Sequence, residues 1–344
     1  MTTTEPEVDR SEAPVVDHHS GESLLKRATS LQSVWILGVL VVIVVFFTIT
    51  GGSKFLSASN FSLISQNIAV WAVLGVGMTF VIITSGIDLS IGSVLVFSSV
   101  VAAKLMESIG GDGWGVAGLG ILAALVSGAA WGMLNGFLIA KAKIPPLIVT
   151  LGSLSVALGL AQVLTGGIDV RSVPGVLTDF NTYIKILGIP SLPFVALITL
   201  IIGGIVLHRT KFGRYTYAVG SNEEAARRAG VPVDRHLIKV YALAGTLAGL
   251  AGFLSLARFS TTTIGGHDTD NLQSIAAVVI GGTSLFGGIG TMLGTVFGVF
   301  IPAVLQNGFV IVGVNPFWQN IAVGAVLIGA VYLDQLRRRS QYQR

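Results

Sequence analysis

The sequence predicts an all-α polytopic membrane protein of about ten transmembrane helices, with both termini cytoplasmic and one short helix held outside the bilayer. Three observations carry this. Hydrophobic residues make up 52% of the 344 residues and Asp, Glu, Lys and Arg only 11%, where a soluble chain carries about 25% charged residues. The charges are also clustered: residues 28–53, 113–140, 144–168, 186–208 and 271–333 contain none, and only Asp88 interrupts 55–103. Finally, threading the chain with its N-terminus inside leaves Lys54, Lys104, Arg171, Lys185 and Arg258 outside and the other 16 of the 21 Lys and Arg inside, the bias expected of cytoplasmic loops.

In chain order, residues 1–30 hold six acids, three bases and few large apolar side chains, too little to bury a core, so a disordered cytoplasmic tail is expected. No basic segment followed by a short apolar stretch and a small-residue cleavage site opens the chain, so no cleaved signal peptide is expected. The transmembrane domain is expected over 31–335, with helices at 31–50, 65–85, 89–106, 115–140, 147–166, 191–208, 239–258, 272–286, 290–308 and 317–333. The last three share the 63-residue run from Asn271 to Leu333, room for three crossings of about 20 residues. Residues 336–344 form a basic cytoplasmic tail.

The 44 glycines include Gly128, Gly132 and Gly136 on one helix and Gly290, Gly294 and Gly298 on another. This spacing puts a smooth stripe on one face, which lets helix backbones approach closely in lipid. Intramolecular packing is the favoured reading over a subunit interface. Cysteine is absent, which excludes disulfides, thiolate metal sites and a cysteine nucleophile.

Polar residues within spans are costly unless paired or hydrated, a central Asp by about 2.5–3.5 kcal/mol on insertion scales. Asp88 lies in Thr84-Ser85-Gly86-Ile87-Asp88-Leu89-Ser90-Ile91-Gly92-Ser93. Either Gly86 breaks one helix and Asp88 caps the next, or the break lines a polar path at membrane depth. Candidate path residues are Gln66, Asn67, Ser85, Asp88, Ser90, Asn135, Thr150, Ser153, Asn271 and Gln273, whose amides and hydroxyls match a hydroxylated solute.

The most specific feature is the loop 209–238 on the cytoplasmic side. In Ser221-Asn222-Glu223-Glu224-Ala225-Ala226-Arg227-Arg228-Ala229-Gly230-Val231-Pro232, Ser221 and Glu224 have capping-box spacing, the acids suit a helix start, the arginines its end, and Gly230 with Pro232 stops it. So short a helix is marginal alone in water, so either this chain's own cytoplasmic surface or another subunit packs on it.

These residues together resemble a known family. The loop, Ser85 to Ser93, Asn135-Gly136 leading to Ile144-Pro145-Pro146-Leu147-Ile148-Val149-Thr150-Leu151-Gly152, Ile275 to Gly288, and Asn315-Pro316-Phe317-Trp318-Gln319 are similar, in the same order, to the ribose/xylose/arabinose-type permeases of bacterial ABC sugar importers. The resemblance implies an inner-membrane permease subunit, not an enzyme and without cofactor, for a monosaccharide such as ribose or another pentose or polyol. It also implies a homodimer with a second permease copy, an extracytoplasmic sugar-binding protein and a cytoplasmic ATP-hydrolysing subunit. The helix from Ser221 to Gly230 becomes the coupling helix that docks that ATPase. Where relatives often carry an acidic pair before the Ile-Ala-Ala-Val-Val-Ile-Gly-Gly run, this chain has Asn271 and Gln273, and Leu158 and Ile289 stand where Arg is common.

The chain itself lacks a G-x-x-x-x-G-K-[ST] phosphate loop, so any ATP binds elsewhere. The rival classes are an ion-coupled secondary transporter, which would need more intramembrane ionisable groups than Asp88, and a branched-chain amino-acid-type ABC permease. A membrane enzyme is disfavoured, since no His/Asp/Glu cluster or activated nucleophile is apparent. The net charge of +4 follows from the basic inner loops, so lipid and not nucleic acid is the expected surroundings.

Overall fold

Lipid offers no partner to backbone N–H and C=O groups, so the charge-free apolar runs fold as helices that satisfy their own. The computed structural model describes residues 31–186 and 188–315, with scattered positions between 318 and 335. The expected tails at 1–30 and 336–344 lie outside the described residues, as does most of the expected 317–333 helix.

Among the described residues, eight helices are long and apolar enough to cross a membrane. They are α1 (Leu31–Phe55), α2 (Ala58–Ile83), α3 (Ile91–Ile109), α4 (Trp114–Ala140), α5 (Pro146–Thr165), α7 (Ser191–Arg209), α10 (Val233–Phe259) and α12 (Met292–Ile311). Shorter elements join them: α6 (Gly175–Thr182), a two-stranded hairpin of β1 (Lys185–Ile186) and β2 (Ile189–Pro190), α8 (Lys211–Ser221), α9 (Glu223–Arg228) and α11 (Asp270–Ile280). Helices α2 and α10 are buried along most of their length and form the centre of the bundle, whereas α1 packs mainly on α12 at its edge. There the fully buried Phe47 ring lies 5.6 Å from that of Phe309. Large apolar side chains such as Ile49, Val163 and Ile202 cover the exposed faces of α1, α5 and α7, as a multi-pass membrane protein requires.

Two expectations are corrected. The span expected at 272–286 is only the 11-residue α11, because Gly281 and Gly282, the latter at φ 91, break the helix before a turn over 284–289 closed by Ser284 N–H donating to Ile289 O at 3.0 Å. The loop expected at 209–238 is instead nearly all helical, with α10 beginning at Val233 and not at Lys239.

The glycine stripe on α4 faces α10. A methyl group on Gly132 would overlap the Tyr241 carbonyl, and one on Gly128 the carbonyl of Gly245. The two backbones are therefore in direct contact, and the stripe is an intramolecular packing face. The α4, α7 and α9 ends near Lys141, Arg209 and Arg227 lie toward one end of the bundle, hereafter the basic end. The hairpin, α6 and residues 260–269 belong to the opposite end, where Thr262 N–H donates to Val170 O at 3.0 Å.

Candidate functional site

Residues 84–90 break the chain between α2 and α3 and bring a carboxylate into the protein interior. Asp88 is 3% exposed, and its Oδ1 accepts the backbone N–H of Ser90 at 2.9 Å and the Ser90 hydroxyl at 2.6 Å. The expected role of Asp88 as N-cap is corrected: the cap position of α3 is Ser90, and Asp88 stabilises the turn two residues before it. Asn135 Nδ2 on α4 donates to Ser90 Oγ at 2.9 Å, and Ser153 Oγ on α5 donates to Asn135 Oδ1. Thr150 Oγ1 lies 3.2 Å from Ile87 O and 2.9 Å from Pro146 O. The structure thus joins five of the ten candidate path residues in one buried cluster spanning α3, α4 and α5. Each of these five side chains makes at least one hydrogen bond, as burial demands.

The other candidates separate. Asn271 Nδ2 on α11 donates to Leu89 O at 3.0 Å, which ties the start of α11 to the break beside Asp88. Gln273 is buried on the same helix, its Oε1 without a partner among the described residues. Gln66 and Asn67 are half-buried on α2, Gln66 Nε2 donating to Ser62 Oγ at 3.2 Å, and neither joins the cluster. Ser85 lies at the basic end, its hydroxyl 2.9 Å from Phe286 O and 3.2 Å from Gly220 O.

Sequence reasoning missed a second buried polar chain at the α11 start. Trp71 Nε1 on α2 donates to Asp270 Oδ1 at 3.0 Å, Asp270 Oδ2 pairs with His267 Nδ1 at 2.6 Å, and His267 Nε2 lies 2.8 Å from Ser255 Oγ on α10. In the sequence Asp270 stands only as the last charge before the run 271–333. Its signal was an acid in the first turn of a helix, where the dipole favours it.

At the basic end the short helix exists, with a different cap. Asn222 is the N-cap of α9, its Oδ1 accepting from Ala225 N–H at 2.9 Å, while Ser221 closes α8 and the expected Ser221–Glu224 box does not form. Glu223 pairs with Arg227 at 3.1 Å and Glu224 pairs with Arg228, each one helical turn apart. Gly230 at φ 83 ends the turn, and Ala226 packs in a small buried cluster with Val219, Val233 and Leu237 while Ala225 stays exposed. Asp234 at the start of α10 collects Arg227 at 2.8 Å, Lys141 at 3.0 Å and Lys143 at 3.3 Å, so α9 is tied to α4 as well as to α10. The carboxylates of Asp234 and Glu223 raise the Arg227 guanidinium above its ordinary value. Tyr217 on α8 donates its hydroxyl to Gly290 O at 2.6 Å, and burial pushes its phenol up to about 12, so it remains a donor at physiological pH.

Residues 60–331 match the model of a family described as branched-chain amino acid transport system / permease component. A fructose import permease of Rhizobium meliloti is 37% identical over 308 residues, 88% of this chain and 84% of that one. A ribose import permease of Escherichia coli (strain K12) is 36% identical over 323 residues, 93% and 98% of the two chains, and one of Bacillus subtilis (strain 168) is 39% identical over 305 residues, 87% and 91%. No solved structure matches the chain.

Proposed function

The chain belongs to this family of ABC transporter permease components, and we propose that it is the membrane subunit that carries a monosaccharide, ribose or another pentose or polyol, across the inner membrane. As a permease component it is a multi-pass inner-membrane protein and does not itself hydrolyse ATP, which falls to a separate subunit. The observation that carries the substrate class is the near full-length identity to ribose import permeases of two bacteria. The fructose import relative supports a hexose as a second reading.

In this reading the basic end faces the cytoplasm and the helix Ser221–Gly230, observed as the end of α8 and α9, takes the thrust of the ATPase. The opposite end meets the sugar-binding protein. A second copy completes the translocation path as a homodimer, with lipid around the remainder. The neutral donors and acceptors of Ser90, Asn135, Thr150, Ser153, Asn271 and Gln273, together with Asp88, lie close to the path, with Gln66, Asn67 and Ser85 nearer its ends. Hydroxyls and amides exchange hydrogen bonds with a sugar at little net cost, so solute passes without being held.

The test is uptake into vesicles containing the purified permease, its ATPase and its binding protein. Radiolabelled ribose, xylose, galactose, fructose and leucine are offered in turn, with ATP, without ATP, and with an ionophore. ATP-dependent, ionophore-insensitive entry of one sugar is expected. Entry of leucine alone would replace the sugar reading with the amino-acid one, and collapse with ionophore would identify an ion-coupled carrier.

A further inference from the structure

Three chain segments meet at the basic end with almost no side chain between them: the end of α2, the end of α8, and the turn before α12. Gly288 N–H donates to Ile83 O at 2.9 Å. The single hydroxyl of Ser85 sits between Phe286 O at 2.9 Å and Gly220 O at 3.2 Å. A methyl group on Gly220 would overlap the Ile83 carbonyl and lie 2.7 Å from Gly288 N, and one on Gly288 would lie 3.0 Å from the Ser221 Cα. Gly287 and Gly288 have φ 82 and 74, and Ser85 itself is left-handed at φ 62. Left-handed backbone is unfavourable for a serine and persists where surrounding contacts over-determine it. Here the hydroxyl bonds are those contacts.

We propose that Ser85, Gly220 and the 286–288 turn form the joint through which movement of α8 and α9 enters the permease, with Ser85 as its positioning residue. This rests on the reading of α9 as the element driven by the ATPase. From the joint the chain leads two ways. Five residues after Ile83 it reaches Asp88 and the buried cluster that starts α3. Backward from Phe286 it reaches α11, whose Asn271 holds Leu89 O. Both sides of the buried cluster are therefore tied to one stiff backbone contact. Tyr217, bonded to Gly290 O, holds α8 to the same turn from its other side.

The substitution Ser85→Gly separates joint from fold, because glycine accepts φ 62 without strain and only the hydroxyl is lost. In the reconstituted complex with ATPase and binding protein, Ser85→Gly is expected to insert normally, retain the ATPase on purification, and move several-fold, up to about tenfold, less sugar per ATP hydrolysed, the scale of one lost hydrogen bond shared between two carbonyls. Tyr217→Phe, which removes the bond that holds α8 to the other side of the turn, is expected to shift the same ratio in the same direction by a similar few-fold. A parent ratio in both correctly inserted variants overturns the proposal, and if Ser85→Gly fails to insert, Tyr217→Phe alone decides. A second measurement needs no sugar. The chain has no cysteine, so in the permease of the full complex spin labels can be placed at Arg214 on α8, exposed and outside the stretch Ser221–Gly230, and at the exposed Ile289 of the turn. Their separation is expected to stay constant on trapping ATP in the parent and to broaden or shift in Ser85→Gly. A parent separation that changes with ATP, or identical behaviour of the two, overturns the joint even if sugar uptake is normal. Absent uptake of every sugar with the labels behaving as expected would overturn the substrate reading alone.

Discussion

At the scale of single residues, the decisive question for Asp88 is whether its charge or its acceptor oxygen matters. The structure gives Oδ1 two donors, both from Ser90, and an amide oxygen in the same place would accept both. Asp88→Asn is therefore expected to retain most uptake and normal protein levels. Asp88→Leu leaves a buried N–H and hydroxyl without an acceptor, at about 1–3 kcal/mol each, and is expected to lower the amount of inserted protein or its transport sharply. Immunoblotting of membranes together with uptake measures both. Loss of uptake in Asp88→Asn at normal levels would show that the ionised carboxylate itself takes part. That Asp88 would be placed deep in the molecule was legible from its isolation in an apolar run. That Ser90, Asn135 and Ser153 would bond to it in series was not, because the residues are 45 and 18 positions apart and only packing of α3 on α4 and α5 brings them together. Ser85 shows the converse: three residues from Asp88 in sequence, it points to a different neighbourhood because the chain turns through a left-handed residue there.

At the scale of elements, local chemistry was read well where it acts within one helix and poorly where two helices share a corner. The acids, arginines and Gly230 place α9 correctly, since helix dipole and C-terminal stop are properties of adjacent residues. The cap moved by one residue because α8 runs directly into it: Ser221 still belongs to the previous helix and Asn222, extended at φ −162, is the first residue free to cap. Amide exchange of residues 223–229 distinguishes the two. Asn222→Ala is expected to speed it roughly 2- to 30-fold, the equivalent of about 0.5–2 kcal/mol of capping, whereas Ser221→Ala is expected to change it about twofold or less. The reverse order would restore the Ser221 cap. The glycine stripe of α4 was legible as a packing face from its four-residue spacing, yet its partner α10 begins about a hundred positions later, and no local signal names it.

At the scale of the whole molecule, orientation depends on an even or odd number of crossings, and α11 puts that parity to the test. Eleven residues of helix span only about 16 Å, half the hydrocarbon thickness of about 30 Å, so α11 alone cannot carry the chain across. Its surroundings complete the crossing. His267 reaches Ser255, four residues inside the end of α10, so residues 260–269 turn back into the bundle before α11 starts. After Ile280, the turn over 284–289 reaches the basic end, where Gly288 meets Ile83. The segment thus passes from one end to the other as a short helix with non-helical flanks, which is tolerated at membrane depth where the backbone is buried in protein, so the crossing expected at 272–286 is kept although the continuous helix is not. The sequence suggested a continuous helix here because periodicity cannot distinguish a buried half-helix with a glycine turn from a full span. With that crossing kept, an arrangement with the N-terminus inside, which leaves 16 basic residues inside and 5 outside, predicts that reporters active only outside the cytoplasm are silent when fused after Arg228 or Arg339 and active after Asp179. Activity after Arg228 would place α9 on the outer side, out of reach of any ATP-hydrolysing subunit, and would overturn both the orientation and the transmission joint built on it.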